Sequence, residues 1–148
     1  MVVQKKEGKM QQADLPPILV STLDYERLST LIARTPAAQF PGAAALEKEL
    51  ERATLLSPEA MPASVVTMHS TVKFAMQPSG EEFALTLCYP HETAGDAGKI
   101  AITAPMGSAL LGLSVGQSIH WPTPGRQQVA VTVLDVIWQP EANGQLTM

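Results

Sequence analysis

Val72-Lys73-Phe74-Ala75-Met76, Pro78-Ser79-Gly80-Glu81 and Phe83-Ala84-Leu85-Thr86-Leu87-Cys88-Tyr89 form the stretch that decides the fold of this chain. Val72, Phe74 and Met76 alternate with Lys73 and Ala75, and Phe83, Leu85, Leu87 and Tyr89 alternate on the return. A period of two places one set of side chains on one face of a strand, and a Pro/Ser/Gly cluster between two such runs reverses the chain. The stretch therefore reads as a β-hairpin with one apolar face.

Toward the C-terminus, a loop from His91 to Gly98 leads to a third strand around Ile100-Ala101-Ile102. Met106 to Leu113 is a short, apolar, helix-like segment ended by Gly112 or Gly116. Ile119 to Trp121 starts another strand, Pro122-Thr123-Pro124-Gly125 turns it, and Val129, Val131 and Val133 run on to Trp138. Residues 65–140 thus predict an antiparallel sheet domain with one short helix, and 141–148 carry no pattern and read as a tail.

Toward the N-terminus the period changes to 3.6. Ser21-x-x-Asp24 resembles a capping box, and Asp24 also suits the positive end of a helix. Tyr25, Leu28, Leu31 and Ile32 form one apolar stripe, which Thr35-Pro36 ends because proline disfavours a helical residue before it. Leu46, Leu50 and Ala53 make a second stripe after Pro41-Gly42, with Glu47, Lys48, Glu49, Glu51 and Arg52 on the remaining, solvated surface. Two short stripes joined by a Pro/Gly connection predict an antiparallel helical hairpin over 18–56, a coiled-coil stub projecting roughly 20 Å. Arms this short need a neighbouring domain or subunit for stability, which leaves self-association into a homo-oligomer open. Residues 1–17 read as a flexible tail, and 57–64, with Pro58 and Pro62, as a linker. The fold class is α+β: a helical hairpin followed by a compact antiparallel sheet with one short helix.

Composition narrows the function. The 148 residues carry 10 Lys+Arg against 14 Asp+Glu, a formal net charge of −4. Within 22–56 the acids Asp24, Glu26, Glu47, Glu49 and Glu51 outweigh Arg27, Arg34, Lys48 and Arg52, and the sheet segment is also acidic on balance. Neither half offers the basic track that a nucleic-acid binder needs. A single cysteine excludes an internal disulfide framework or a cysteine zinc cluster and fits a reducing compartment. No run approaches a membrane span, and the lysine-bearing N-terminus has no apolar core of a secretory signal, so the cytoplasm is the expected address.

No nucleophile elbow, phosphate loop, dinucleotide fingerprint or histidine metal motif occurs. Cys88 lies mid-strand as a half-buried thiol, while His91 in a loop and His120 beside Trp121 read as solvated or hydrogen-bonded histidines. Glu47 and Glu51 share a helix face, but Glu49 is turned away by about 200°. No catalytic residue, metal site or cofactor is expected.

Several segments resemble the GreA/GreB transcription elongation factor family: Val65-Val66-Thr67-Met68-His69-Ser70-Thr71-Val72, Gly98-Lys99-Ile100-Ala101-Ile102 and Ala104-Pro105-Met106-Gly107-Ser108-Ala109-Leu110-Leu111-Gly112-Leu113. Leu23-Asp24-Tyr25-Glu26-Arg27-Leu28, Leu46 to Ala53, Tyr89-Pro90, Ile119-His120-Trp121 and Gln139-Pro140-Glu141-Ala142 narrow the likeness to its Rnk branch, the regulators of nucleoside diphosphate kinase. The resemblance implies an FKBP-like C-terminal domain that docks at the secondary-channel rim of RNA polymerase, in competition with Gre factors. Pro105, Met106, Gly107, Ser108, Leu110 and Leu111 match the segment at or beside the polymerase-binding surface. Gre factors hold a magnesium ion with acids at the tip of a longer hairpin, whereas Thr35-Pro36-Ala37-Ala38-Gln39-Phe40-Pro41 is uncharged here. The resemblance thus implies a non-enzymatic, polymerase-binding regulator of transcription elongation. An effect on nucleoside diphosphate kinase, by direct contact or through its expression, is the alternative. Direct DNA contact is not expected from the charge, whatever DNA-binding label the family carries.

Overall fold

The computed structural model describes residues 15–122 and 128–148. The N-terminal tail through residue 14 and the turn Thr123-Pro124-Gly125 lie outside the described residues. The elements are β1 (Leu19–Ser21), α1 (Thr22–Arg34), α2 (Ala43–Arg52), β2 (Thr54–Leu56), β3 (Thr71–Gln77), β4 (Glu81–Cys88), β5 (Lys99–Ala101), α3 (Pro105–Leu110), β6 (Ser118–Pro122) and β7 (Gln128–Trp138). Short 3₁₀ turns cover Pro58–Ala60, Pro90–Glu92 and Glu141–Asn143.

The expected hairpin is present, with Val72 opposite Leu85 and Phe74 opposite Phe83 in antiparallel register. The sheet order is β5-β4-β3-β7-β6. One strand departs from the antiparallel expectation: β5 runs parallel to β4, with Leu87 beside Ile100. The segment between them is long enough to carry the chain back along β4 instead of reversing beside it. The amide of Thr86 donates to the carbonyl of Gly98 at 2.9 Å and fixes that return.

α1 starts where the capping pattern places it, since the Asp24 amide donates to Ser21 Oγ at 3.0 Å. It ends at Thr35, whose amide and hydroxyl both donate to the Leu31 carbonyl. Leu28 and Leu46 are fully buried, and Leu50 nearly so. Two short strands bracket the helices and were not legible in the sequence: β1 and β2 pair in parallel, Leu19 beside Thr54. Glu49 departs from the solvated face expected of it. It is buried, and Arg52 Nη2 and Nε donate to its carboxylate at 2.6 and 3.0 Å. Arg52 Nη1 also donates to the Pro16 carbonyl at 2.6 Å, so this ion pair closes the base of the helical unit.

The two parts do not have separate cores. Ile18, Val20, Leu28, Phe40 and Leu46 belong to the same buried cluster as Val66, Val72, Leu110, Trp121 and Val133. Two helices of 13 and 10 residues cannot cover their own apolar stripes, so they share the core of the sheet. The expected linker is fixed as well: Met61 is buried, and Gln139 Nε2 donates to the carbonyls of Pro62 and Val65, each at 2.8 Å. The expected C-terminal tail forms a turn whose Asn143 side chain donates to the Gln139 carbonyl at 2.8 Å. Replacing Leu46 with Ala is expected to lower unfolding free energy by about 2–5 kcal/mol and to shift a single urea transition probed from both parts. Two separate transitions, with only the helical signal moved, would contradict the shared core.

Candidate functional site

The segment singled out by the resemblance, 105–111, is a six-residue helix and its exit. Pro105 occupies the first turn, where its missing amide hydrogen costs nothing. Gly107 is buried, and a Cβ there would sit 2.1 Å from the Ala101 carbonyl oxygen, so the helix backbone lies directly on the end of β5. Ser108 is 3% exposed, and its hydroxyl donates to the Ile102 carbonyl at 2.6 Å. Leu110 and Leu111 lie in the core cluster. Of the six residues expected at a docking surface, Gly107, Ser108, Leu110 and Leu111 are therefore interior, because the close approach of α3 to β5 needs small or apolar groups there. Pro105 and Met106 remain half-buried, and only these two of the six can meet a partner directly.

Gln117 also has an internal role, accepting the Ser114 amide on Oε1 at 2.9 Å. The connection between α1 and α2 divides in two: Pro36 to Gln39 are exposed, while Phe40 is 1% exposed and anchors the connection. Glu47 and Glu51 are exposed, whereas Glu49 is held by Arg52. Cys88 is fully buried rather than half-buried, and burial pushes its thiol above its ordinary value, so the reactive thiolate is disfavoured. Among the described residues, no three His, Cys, Asp or Glu side chains are grouped to hold a metal ion.

A second cluster lies where α1 meets the sheet, on residues with no sequence motif. Asp24 is buried, and its Oδ2 accepts the Met68 amide at 3.1 Å. Burial raises its pKa to about 6, the Met68 hydrogen bond opposes the rise, and nearby Glu141 adds to it. Glu141 in turn accepts the Thr67 hydroxyl on Oε1 at 2.7 Å. His69, which follows Met68, takes a left-handed backbone at φ 70°, and its amide donates to the Leu87 carbonyl at 2.7 Å. Its Nε2 lies 2.9 Å from Glu92 Oε1, which also accepts the Tyr89 amide at 2.8 Å. Burial works to raise the Glu92 pKa, but the Tyr89 and His69 hydrogen bonds outweigh it and hold the carboxyl below its ordinary value.

Tyr89 is 9% exposed, and its hydroxyl lies close to the Arg27 guanidinium. Burial, reinforced by the Asp24 charge, keeps that phenol protonated. Ser21-x-x-Asp24 pointed to Asp24 as a helix-cap residue; nothing in the pattern of charges could show that its carboxylate reaches forty-four residues along the chain to Met68. Arrangements of this kind position backbone and bury charge. They present no nucleophile with an adjacent base.

A short helical unit shares its core with a five-stranded mixed sheet, and the α3 segment lies against the end of β5. The family described as "Transcription elongation factor, GreA/GreB, C-term" matches residues 61–137, and the one described as "Rnk N-terminus" matches residues 16–56. The chain is 45% identical over 129 residues to "Regulator of nucleoside diphosphate kinase" of Escherichia coli (strain K12), covering 87% of this chain and 95% of that protein. It is 32% identical over 92 residues to "Transcription elongation factor GreA" of Chlorobium limicola, spanning 57% of that protein's length. A solved structure titled "Prokaryotic transcription elongation factor GreA/GreB from Nitrosomonas europaea" superposes with a TM-score of 0.65 at 47% identity, covering 83% of this chain and 99% of that one. The chain belongs to the GreA/GreB family, in its regulator of nucleoside diphosphate kinase branch.

Two outcomes test this geometry. Gly107→Ala forces a methyl group against Ala101 and is expected to destabilise the fold by about 3 kcal/mol, at the upper end of overpacking costs; a loss below about 0.5 kcal/mol in urea melts would contradict the contact. Asp24 carries a raised pKa, so the native state binds its proton more tightly than the unfolded chain. Its contribution to stability is full below about pH 4 and is lost as pH rises through about 6, where the buried charge costs on the order of 3 kcal/mol. Asp24→Asn is therefore expected to match the wild type near pH 4 and to exceed it at pH 7.5. Equal destabilisation at both pH values would show that the carboxylate charge is not the issue.

Proposed function

We propose that the protein is a non-enzymatic regulator of transcription elongation that binds RNA polymerase near the secondary channel through its sheet domain. In this reading the sheet domain is of FKBP-like type and the helical unit acts as a stub hairpin at the channel entrance. Docking is made by Pro105 and Met106, with Gly107, Ser108, Leu110 and Leu111 fixing the shape of the surface behind them. The family membership supports the partner, and the tip supports the absence of cleavage: its exposed residues Pro36, Ala37, Ala38 and Gln39 have no carboxylate with which to hold a divalent cation. Glu47 and Glu51 lie along the α2 arm, and Glu49 is already neutralised by Arg52. The acidic charge balance speaks against direct DNA contact. Among the described residues no helix is long and apolar enough to cross a membrane, and the cytoplasm is the proposed location.

A second reading is favoured by the name of the Escherichia coli relative: regulation of nucleoside diphosphate kinase, by direct contact or through its expression.

The test is binding of the purified protein to core polymerase, alone and against a Gre factor. Saturable binding that a Gre factor displaces is expected, and Met106→Glu is expected to weaken it at least tenfold while leaving the thermal midpoint within about 3 °C. Absence of polymerase binding, together with saturable binding to nucleoside diphosphate kinase, would replace the first reading with the second.

A further inference from the structure

One face of the five-stranded sheet carries Val72, Phe74, Leu87, Ile119, Val131 and Val133 into the core. Alternate residues of a strand point the other way, so the register fixes what stands on the outer face. One row runs Ala84, Lys73, Asp135 across β4, β3 and β7, and the next runs Glu82, Ala75, Thr132, Ser118 and reaches β6. Lys73, Glu82, Ala84, Ser118 and Asp135 are exposed on it. Two irregularities in β7 interrupt the alternation. Asp135 lies opposite Lys73 and Val133 opposite Phe74, which leaves out Leu134; Trp138 opposite Thr71 and Val136 opposite Val72 leave out Ile137. A bulged residue is turned out of the ladder. Leu134 and Ile137 are accordingly 37% and 54% exposed, two apolar knobs on a floor built largely of Ala, Thr and Ser.

The polar groups of that floor are paired with one another. Thr71 Oγ1 lies 2.8 Å from Thr86 Oγ1, and Ser118 Oγ lies 2.6 Å from Thr132 Oγ1. Lys73 Nζ lies 3.7 Å from Glu82 Oε1. Paired hydroxyls can lose water without being left unsatisfied. Lys73 and Lys99 balance Glu82 and Asp135, so the face offers no attraction to a polyanion or an anionic membrane. It is flat, neutral and low, which suits another sheet, since sheets stack about 10 Å apart through interdigitating side chains. This chain itself presents such a face. The knobs stand on β7, and the low ground of Ala75 and Ala84 lies one and two strands away on β3 and β4. A two-fold axis would set the knobs of each copy on the low ground of the other, the reciprocal contact of an isologous interface. Five strands about 4.8 Å apart, averaging about seven residues, span about 24 by 22 Å, roughly 500 Å² in plan. Side chains corrugate that plan, and its accessible area approaches the about 800 Å² that each partner gives to a standard interface.

We propose that the outer face of the sheet is the interface of a two-fold homodimer, with Leu134 and Ile137 of each copy packed over Ala75 and Ala84 of the other. Both signs of charge are present on the face, so Lys73 of one copy meets a carboxylate of its partner. The helical arms take no part, because Leu28, Leu46 and Leu50 are already buried within their own chain. The modest area makes the dimer weak and reversible.

Sedimentation equilibrium of the full chain from about 1 μM to about 1 mM tests this, with a monomer–dimer equilibrium of Kd about 10–100 μM expected. Ile137→Lys sets a charge against the partner's apolar ground and is expected to raise Kd at least about tenfold. Ala84→Arg fills that ground from an exposed position and is expected to do the same, which keeps the test if Ile137→Lys does not fold. Circular dichroism melts at low concentration are expected to coincide with the wild type for Ala84→Arg. A monomer throughout the range, or a dimer whose Kd moves with neither substitution, would overturn the proposal.

Discussion

The structure depends on one close backbone contact. Gly112, at φ 82°, lies against Ile18, where an added Cβ would meet the Ile18 side chain at 2.8 Å. Its carbonyl accepts the Leu19 amide at 3.2 Å, and its amide donates to the Val66 carbonyl at 2.9 Å. One residue thereby joins β1, the loop entering the sheet domain and the exit of α3. Any side chain there would push the helical unit off the sheet, and the left-handed backbone also disfavours one. With the contact made, β1 and β2 pair, and α1 and α2 bury their stripes against the sheet. Without it, both helices are too short to persist.

The same contact explains what the α3 segment is for. Its Ala-Leu-Leu-Gly run is the most distinctive stretch of the family resemblance, which invites a functional reading. Most of it is interior, and the packing of Gly107 and Gly112 accounts for it without a partner. A surface role is left to Pro105 and Met106 at the helix start. The charge cluster at the other side of the joint, Asp24, Glu141, His69 and Glu92, is likewise used to place backbone: Asp24 holds the Met68 amide and Glu92 the Tyr89 amide.

Much of the fold was legible because its signals are local. The β3–β4 hairpin, the Ser21 cap, the helix stop at Thr35-Pro36 and the strand running to Trp138 each announce themselves within a few residues. The parts that were not legible are long-range. The β1–β2 pairing rests on two three-residue strands separated by both helices, too short to show alternation. The parallel course of β5 depends on where a loop returns. Glu49 looked solvated because its neighbours are charged, and only the arrival of Pro16 beside Arg52 shows why the ion pair is buried. The C-terminal residues carry no periodicity, yet Arg27 donates to a main-chain oxygen of both Thr147 and Met148.

The functional account rests on a GreA/GreB-family chain whose connection between α1 and α2 has no acid. Its most direct measurement is RNA length in a stalled, backtracked elongation complex given saturating protein and magnesium. The account predicts that the protein alone leaves the transcript uncut and slows cleavage stimulated by an added Gre factor. Metal-dependent shortening of the transcript by the protein alone would contradict it.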